Sequence, residues 1–359
     1  MELRSSPNLD LPPTADLHVH LRQDAMMELV TPQIQKGGCD TVYVMPNLQP
    51  PITTVAQALD YHGKLAKLAP DVTFLMSLFL HPSLTPEAIR EAAETGVIYG
   101  VKLYPAGVTT NSQDGVLDIE QYYHIFKAME EHDLVLNLHG EMTGSPPDVT
   151  TLNAEAKFVP QLCKLYQRFP FLRIVLEHVS TREGLEAVRK CGPTVAGTIT
   201  AHHLWVTNED ATQDAFSFCK PVAKTLEDRK ALVRAVLDPS SRFFFGSDSA
   251  PHPVQSKRGP SCAAGCFTQG WTTSLVIGAL QEGLSQGWIR DEDVTREALE
   301  GFLSRNGRKF YGLPQPLKTN RIFLEKRGET IPQGIKSQDR SIEVVPFRAG
   351  KEVMSLSWL

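Results

Sequence analysis

The chain has 359 residues, 42% of them hydrophobic and 21% charged, which suits a globular protein with a sizeable core. A formal net charge of −5 gives no basis for holding nucleic acid or an anionic membrane surface. The opening residues lack the apolar segment of a secretory signal, the most apolar run (VTFLMSLFL, 72–80) is too short to span a bilayer, and six scattered cysteines fit reduced thiols, so a cytoplasmic protein is expected.

Short apolar, β-branched runs predict strands at 15–20, 40–45, 72–79, 99–104, 134–139, 172–178, 194–200 and 242–247. Amphipathic stretches between them predict helices near 25–36, 54–69, 85–95, 118–131, 155–168, 182–190, 227–237, 271–286 and 294–311. Strands that alternate with helices imply a parallel sheet, and eight of them favour a closed (β/α)8 TIM barrel over an open doubly wound sheet. No G-x-G-x-x-G follows the first strand, which speaks against dinucleotide binding. After residue 312 the pattern becomes short strand-like pieces (NRIFLEK, SIEVVPF, EVMSLSWL). The expected organisation is a barrel over 1–312 with a small C-terminal extension, 313–359, packed on it.

Polar residues collect at the predicted C-terminal strand ends. ADLHVHLRQD places His18 and His20 two apart, hence on one face of a strand. Lys102 ends strand 4, His139 strand 5 and His178 strand 6, while Asp248 and His252 follow strand 8. Each has a bland reading: a hydrogen-bonded core histidine, a snorkelling lysine, a helix-capping aspartate. A barrel gathers all of these ends around one mouth, where catalytic residues sit. Imidazoles and a carboxylate suit Zn2+ or a similar ion, and four histidines with an aspartate can hold more than one. An ammonium has no lone pair to ligate with. Lys102 is therefore a structural cation, a deprotonated amine, or a side chain carboxylated to a carbamate.

These residues on successive strands resemble the binuclear amidohydrolase superfamily. More narrowly, HVHLR, VMPNLQPPITT, VKLYPAGVTTNSQDGV, LHGE, LEHVST, GSDSAPH and CAAGCF resemble the class II, single-function dihydroorotases, from about residue 14 to 312. The resemblance implies two Zn2+ per subunit bridged by carboxylated Lys102 and a hydroxide. His18, His20 and Asp248 would hold one ion, and His139 and His178 the other. It implies reversible cyclisation of N-carbamoyl-L-aspartate to (S)-dihydroorotate and water, the third step of pyrimidine synthesis, with Asp248 as the proton shuttle. It assigns Arg22, Asn47 and His252 to the substrate's unreacted carboxylate, with His139 and the main chain near Lys220 and Ala264 as further contacts. Thr109 and Thr110 would donate from a 105–115 loop that closes over substrate. A homodimer is expected.

Two rival readings remain at this stage. A hydantoinase or allantoinase would share the ligands but not the Arg22, Asn47 and His252 set. A catalytically dead scaffold would have lost ligands, and every ligand type is present. Cys262 and Cys266 form a C-x3-C pair that is weak evidence for zinc and is read as loop packing. His202 and His203 follow strand 7 and receive no role.

Overall fold

The structure is a computed structural model that describes residues 8–107, 110–143 and 148–359. Thirteen strands run through it: β1 (Asn8–Leu11), β2 (Thr14–Val19), β3 (Cys39–Val44), β4 (Thr73–Phe79), β5 (Ile98–Leu103), β6 (Val135–His139), β7 (Ile174–Glu177), β8 (Val195–Ile199), β9 (Phe243–Phe245), β10 (Ile322–Thr330), β11 (Ile335–Lys336), β12 (Glu343–Val344) and β13 (Glu352–Trp358). β2 to β9 form one eight-stranded sheet in sequence order, and every neighbouring pair is parallel. A parallel bridge between Val19 and Ser249 brings its two edges together. Backbone bonds from Asp248 N to His18 O (2.8 Å) and from His20 N to Ser249 O (3.0 Å) continue that seam. The expected (β/α)8 barrel is the fold, and its seam runs through three of the predicted site residues.

Helices connect the strands because each carries one apolar stripe. Val55–Leu68 buries Val55, Ala58, Tyr61 and Leu65, and Thr54 caps it in a reciprocal capping box with Gln57. Pro86–Glu94 starts with proline in its first turn and is capped by Thr85. The predicted 294–311 helix is divided into Arg296–Glu300, a π-helical turn Gly301–Arg305 and Asn306–Phe310.

Strand alternation gives the barrel two apolar layers. Ala15, Leu17, Tyr43, Leu75, Val135, Val175, Ala196 and Phe244 pack together with Met45 and Tyr311 as one cluster, while Val42, Val44, Val101, Leu136 and Leu176 belong to the larger core that includes the helices.

The extension after the barrel is antiparallel. β10 pairs with β13, and β11 with β12. β10 also pairs with β1 at the start of the described chain, so both ends of the chain share one three-stranded sheet.

Candidate functional site

One narrow cavity opens at the C-terminal ends of the barrel strands, lined by His18, His20, Arg22, Asn47, Tyr104, Thr110, His139, His178, Lys220, Asp248, Ala250, Ala264 and Gly265. Ten residues singled out in the sequence thus share one wall. Lys102 reaches the cluster through Glu177, and His252 stands against Arg22. Thr109 lies outside the described residues.

Local backbone explains how so many polar groups converge. A register irregularity between Asp16 and Val19 interrupts the pairing of β2 with β3 where His18 emerges. Gly246 backs this strand: a Cβ there would meet His18 Cβ at 3.0 Å and Thr198 Cγ2 at 2.9 Å. Asp16 accepts from Ser247 N (2.7 Å) and Ser247 Oγ (2.6 Å), pinning β2 to the turn that carries Asp248. Arg22, His178 and Asp248 adopt positive φ of 60°, 44° and 46°. This conformation costs a non-glycine residue about 1–3 kcal/mol and persists where surrounding structure enforces it.

The ligating atoms group in two sets. His18, His20 and Asp248 place one donor atom each within 4.8 Å of one another, and so do His18, Glu177 and His178. His20 Nε2 lies 3.0 Å from Asp248 Oδ1, and His18 Nε2 lies 3.2 Å from the same oxygen. On its other edge, His18 Nδ1 is 3.3 Å from Glu177 Oε1. The His139 and His178 rings meet edge to face at 4.6 Å between centroids. His139 Nε2 pairs with Glu141 Oε2 at 2.7 Å.

The electrostatics set buried carboxylates against buried basic groups. Burial pushes the His18 imidazole down, yet Glu177 and Asp248 override it and hold it up at about 9. Burial would raise both carboxyls, but His18 holds Asp248 well below the usual range, and His18 and Lys102 hold Glu177 at about 2. Burial depresses Lys102, against the pull of Glu177. Burial and the Arg22 charge bring His20 to about 4, and burial with neighbouring histidine and lysine brings His178 well down. His20 and His178 are thus neutral beside ionised carboxylates, the donor states a divalent ion requires, whereas His18 would have to give up its proton to ligate. Neither ring nitrogen of His18 makes a hydrogen bond, nor does His178 Nδ1, although both residues are buried. The His18, His20 and Asp248 group therefore fits a metal ion, whereas His139 is turned to Glu141 and joins neither group.

At the outer side, Arg22 Nε donates to Pro251 O at 3.0 Å, and its terminal nitrogen lies 3.2 Å from His252 Nε2. His252 Nε2 is also 2.9 Å from Ala264 O. Burial, Arg22 and Lys257 bring His252 to about 3, leaving the guanidinium as the charged member of the pair. Asn47 Nδ2 donates to Thr110 O, and Asn111 Nδ2 donates to Asn47 O, both at 3.0 Å. These bonds hold the 110–111 part of the loop against the cavity rim.

The sequence reading assigned no role to Glu177, Glu141, Asp16, Asn137 or Tyr104. Asn137 donates to Glu177 Oε1 (2.9 Å) and to Tyr311 Oη (2.7 Å), fixing the carboxylate that faces Lys102 and His18. Glu177 stands in the quoted LEHVST motif. Strand neighbours normally point to opposite faces, and the positive φ of His178 departs from that alternation, so both residues face the cluster.

The chain matches the Amidohydrolase family over residues 52–313. It is 47% identical over 340 residues to the probable dihydroorotase of Schizosaccharomyces pombe, covering 95% of this chain and 96% of that one. It is 44% identical to the dihydroorotase of Saccharomyces cerevisiae, covering 98% and 97% of the two chains. The crystal structure of dihydroorotase in complex with 5-fluoroorotic acid from Saccharomyces cerevisiae superposes with a TM-score of 0.89 at 43% identity, covering 99% of each chain. An Arthrobacter aurescens L-hydantoinase shares the fold, with a TM-score of 0.79 at 18% identity over 98% of this chain and 83% of that one. The chain belongs to the amidohydrolase family and, within it, to the dihydroorotases.

Proposed function

We propose that this chain interconverts N-carbamoyl-L-aspartate and (S)-dihydroorotate, the ring-closing reaction of pyrimidine synthesis, in the cytoplasm. The observation that carries this reading is the joining of two chemistries in one small cavity: a buried histidine–carboxylate cluster and a guanidinium aimed at the same space. Family membership supports it.

His18, His20 and Asp248 would hold one Zn2+ and His139 and His178 a second, with Lys102 as a carbamate between them. Bound there, the ions supply Lewis acidity toward the substrate carbonyl and toward water. Formation of the carbamate needs the free amine of Lys102 to add to CO2 and release one N–H proton to the adjoining Glu177 carboxylate or to water, and burial favours the neutral amine.

The side chains do the rest. Arg22 binds the substrate carboxylate that does not react, through the planar fork that suits a carboxylate. Asn47 and the neutral His252 complete that pocket, and the main chain at Lys220 and Ala264 faces the ring. Asp248 carries the proton: its carboxylate accepts it from the attacking water in ring opening and delivers it to the departing ring nitrogen, and cyclisation reverses both transfers. Thr109 and Thr110 donate to bound substrate as their loop covers the mouth and limits water access.

The test is ring opening of dihydroorotate by the purified chain, with hydantoin and allantoin as competing substrates. Turnover of dihydroorotate alone is expected. Preference for a ring without a carboxylate would remove the role given to Arg22.

A further inference from the structure

A second set of metal-ligating side chains lies away from the cluster at the barrel mouth. His202, Cys219 and Cys266 are fully buried, and one donor atom of each lies within 4.8 Å of the others. They come from three separate segments: the turn His202–Leu204 after β8, the stretch that leads into Lys220, and the loop after β9 that carries Ala264. Cys262 is not part of the set; its Sγ faces the carbonyls of Ala215 and Ala263. The C-x3-C spacing therefore pointed to the wrong partner for Cys266.

Two independent observations mark this set as more than packing. Neither ring nitrogen of His202 has a hydrogen-bond partner, although a neutral imidazole carries one donor and one acceptor and burial makes leaving both unmet costly. The adjoining Lys257 Nζ is fixed by the carbonyls of Phe218 (3.0 Å), Ala263 (2.8 Å) and Gly265 (2.8 Å), in the main chain next to both cysteines, and its charge opposes the burial that holds the Cys266 thiol well above its ordinary value.

We propose that His202, Cys219 and Cys266 form a structural site for a thiophilic divalent ion of the Zn2+ class. A tetrahedral zinc site spaces sulfur and nitrogen donors about 3.5–3.8 Å apart, so closure around the ion needs side-chain shifts of about 1 Å. His203 does not supply the fourth position, because its Nε2 donates to Pro221 O at 3.0 Å, so that position is left to water. The ion ties the β8 turn to the two segments that present Lys220 and Ala264 to the cavity. It therefore fixes main chain on the substrate side without touching substrate.

The test loads the full-length chain with Co2+ in place of its resident metal and records the near-ultraviolet spectrum and the metal content. Nitrogen and oxygen ligands, such as those at the barrel mouth, give no sulfur-to-cobalt charge-transfer band. The wild type should show that band and hold one ion more per chain than Cys219→Ser or Cys266→Ser, both of which lose it, while Cys262→Ser keeps it. A wild-type spectrum without the band, or a band that survives either substitution, overturns the site. Where a serine variant does not fold, the wild type alone decides: absence of the band, or a Cys219–Cys266 disulfide in the chain as purified, overturns it equally.

Discussion

His18 and Glu177 face each other across 3.3 Å, Nδ1 to Oε1, with both side chains buried. On its opposite edge the same imidazole faces Asp248, so it is held between two carboxylates of which only Asp248 belongs to the predicted ligand set. Glu177 orients His18 and neutralises charge around Lys102, as outer partners of metal ligands do. Glu177→Gln keeps the shape and removes the charge. It should lower metal affinity about 10–100-fold, read as metal retained per chain after dialysis against a graded chelator. Full retention would reduce Glu177 to packing.

The role proposed for Arg22 is to supply the charge for the substrate's spare carboxylate. Arg22→Ala should raise KM for dihydroorotate about 10–100-fold, the equivalent of about 1.5–3 kcal/mol for a charge-assisted hydrogen-bonded pair, with metal content unchanged. Steady-state kinetics beside metal analysis separates this from a collapsed site. An unchanged KM would assign the carboxylate elsewhere.

Hydrogen bonds with Asn47 anchor residues 110 and 111 at the cavity rim. If the proposed covering role holds, replacing Thr109 and Thr110 by alanine should lower kcat while metal content stays constant. Kinetics identical to the wild type would remove the covering role.

His252 makes a pH prediction with a definite sign. Its folded value is about 3, below the unfolded value near 6.5, because burial and Arg22 oppose its charging. Above pH 6.5 it is neutral in both states and contributes no slope. Between pH 6.5 and 3 the unfolded chain binds a proton that the folded chain does not, so His252 makes stability fall with acidification. His252→Gln should therefore lose stability less steeply across that window, seen in denaturation midpoints at several pH values. Parallel pH profiles would contradict it.

The barrel was legible because each of its eight strands is a short apolar run bounded by turn residues, and each appears within two residues of its expected place at one or both ends. The strand Asn8–Leu11 was not legible. Four residues, NLDL, carry too little periodicity, and the pairing that makes them a strand comes from β10, more than 300 residues on. The short helices Asn208–Gln213 and Val254–Arg258 were missed for the same lack of length. At the site, ligand types showed at the strand ends, whereas their outer partners did not. Asp16 holds Ser247 and Asn137 holds Glu177 across the barrel interior, and no local spacing encodes such contacts. The His202, Cys219 and Cys266 set was hidden in the same way, its members lying far apart along the chain.

The most direct test of the central claim is dihydroorotate ring opening and metal content measured on one purified sample. Turnover with about two zinc ions at the barrel mouth, as a binuclear site requires, is the predicted result, with any ion lost on Cys219→Ser counted separately. A folded, metal-loaded chain that leaves dihydroorotate intact would contradict the account.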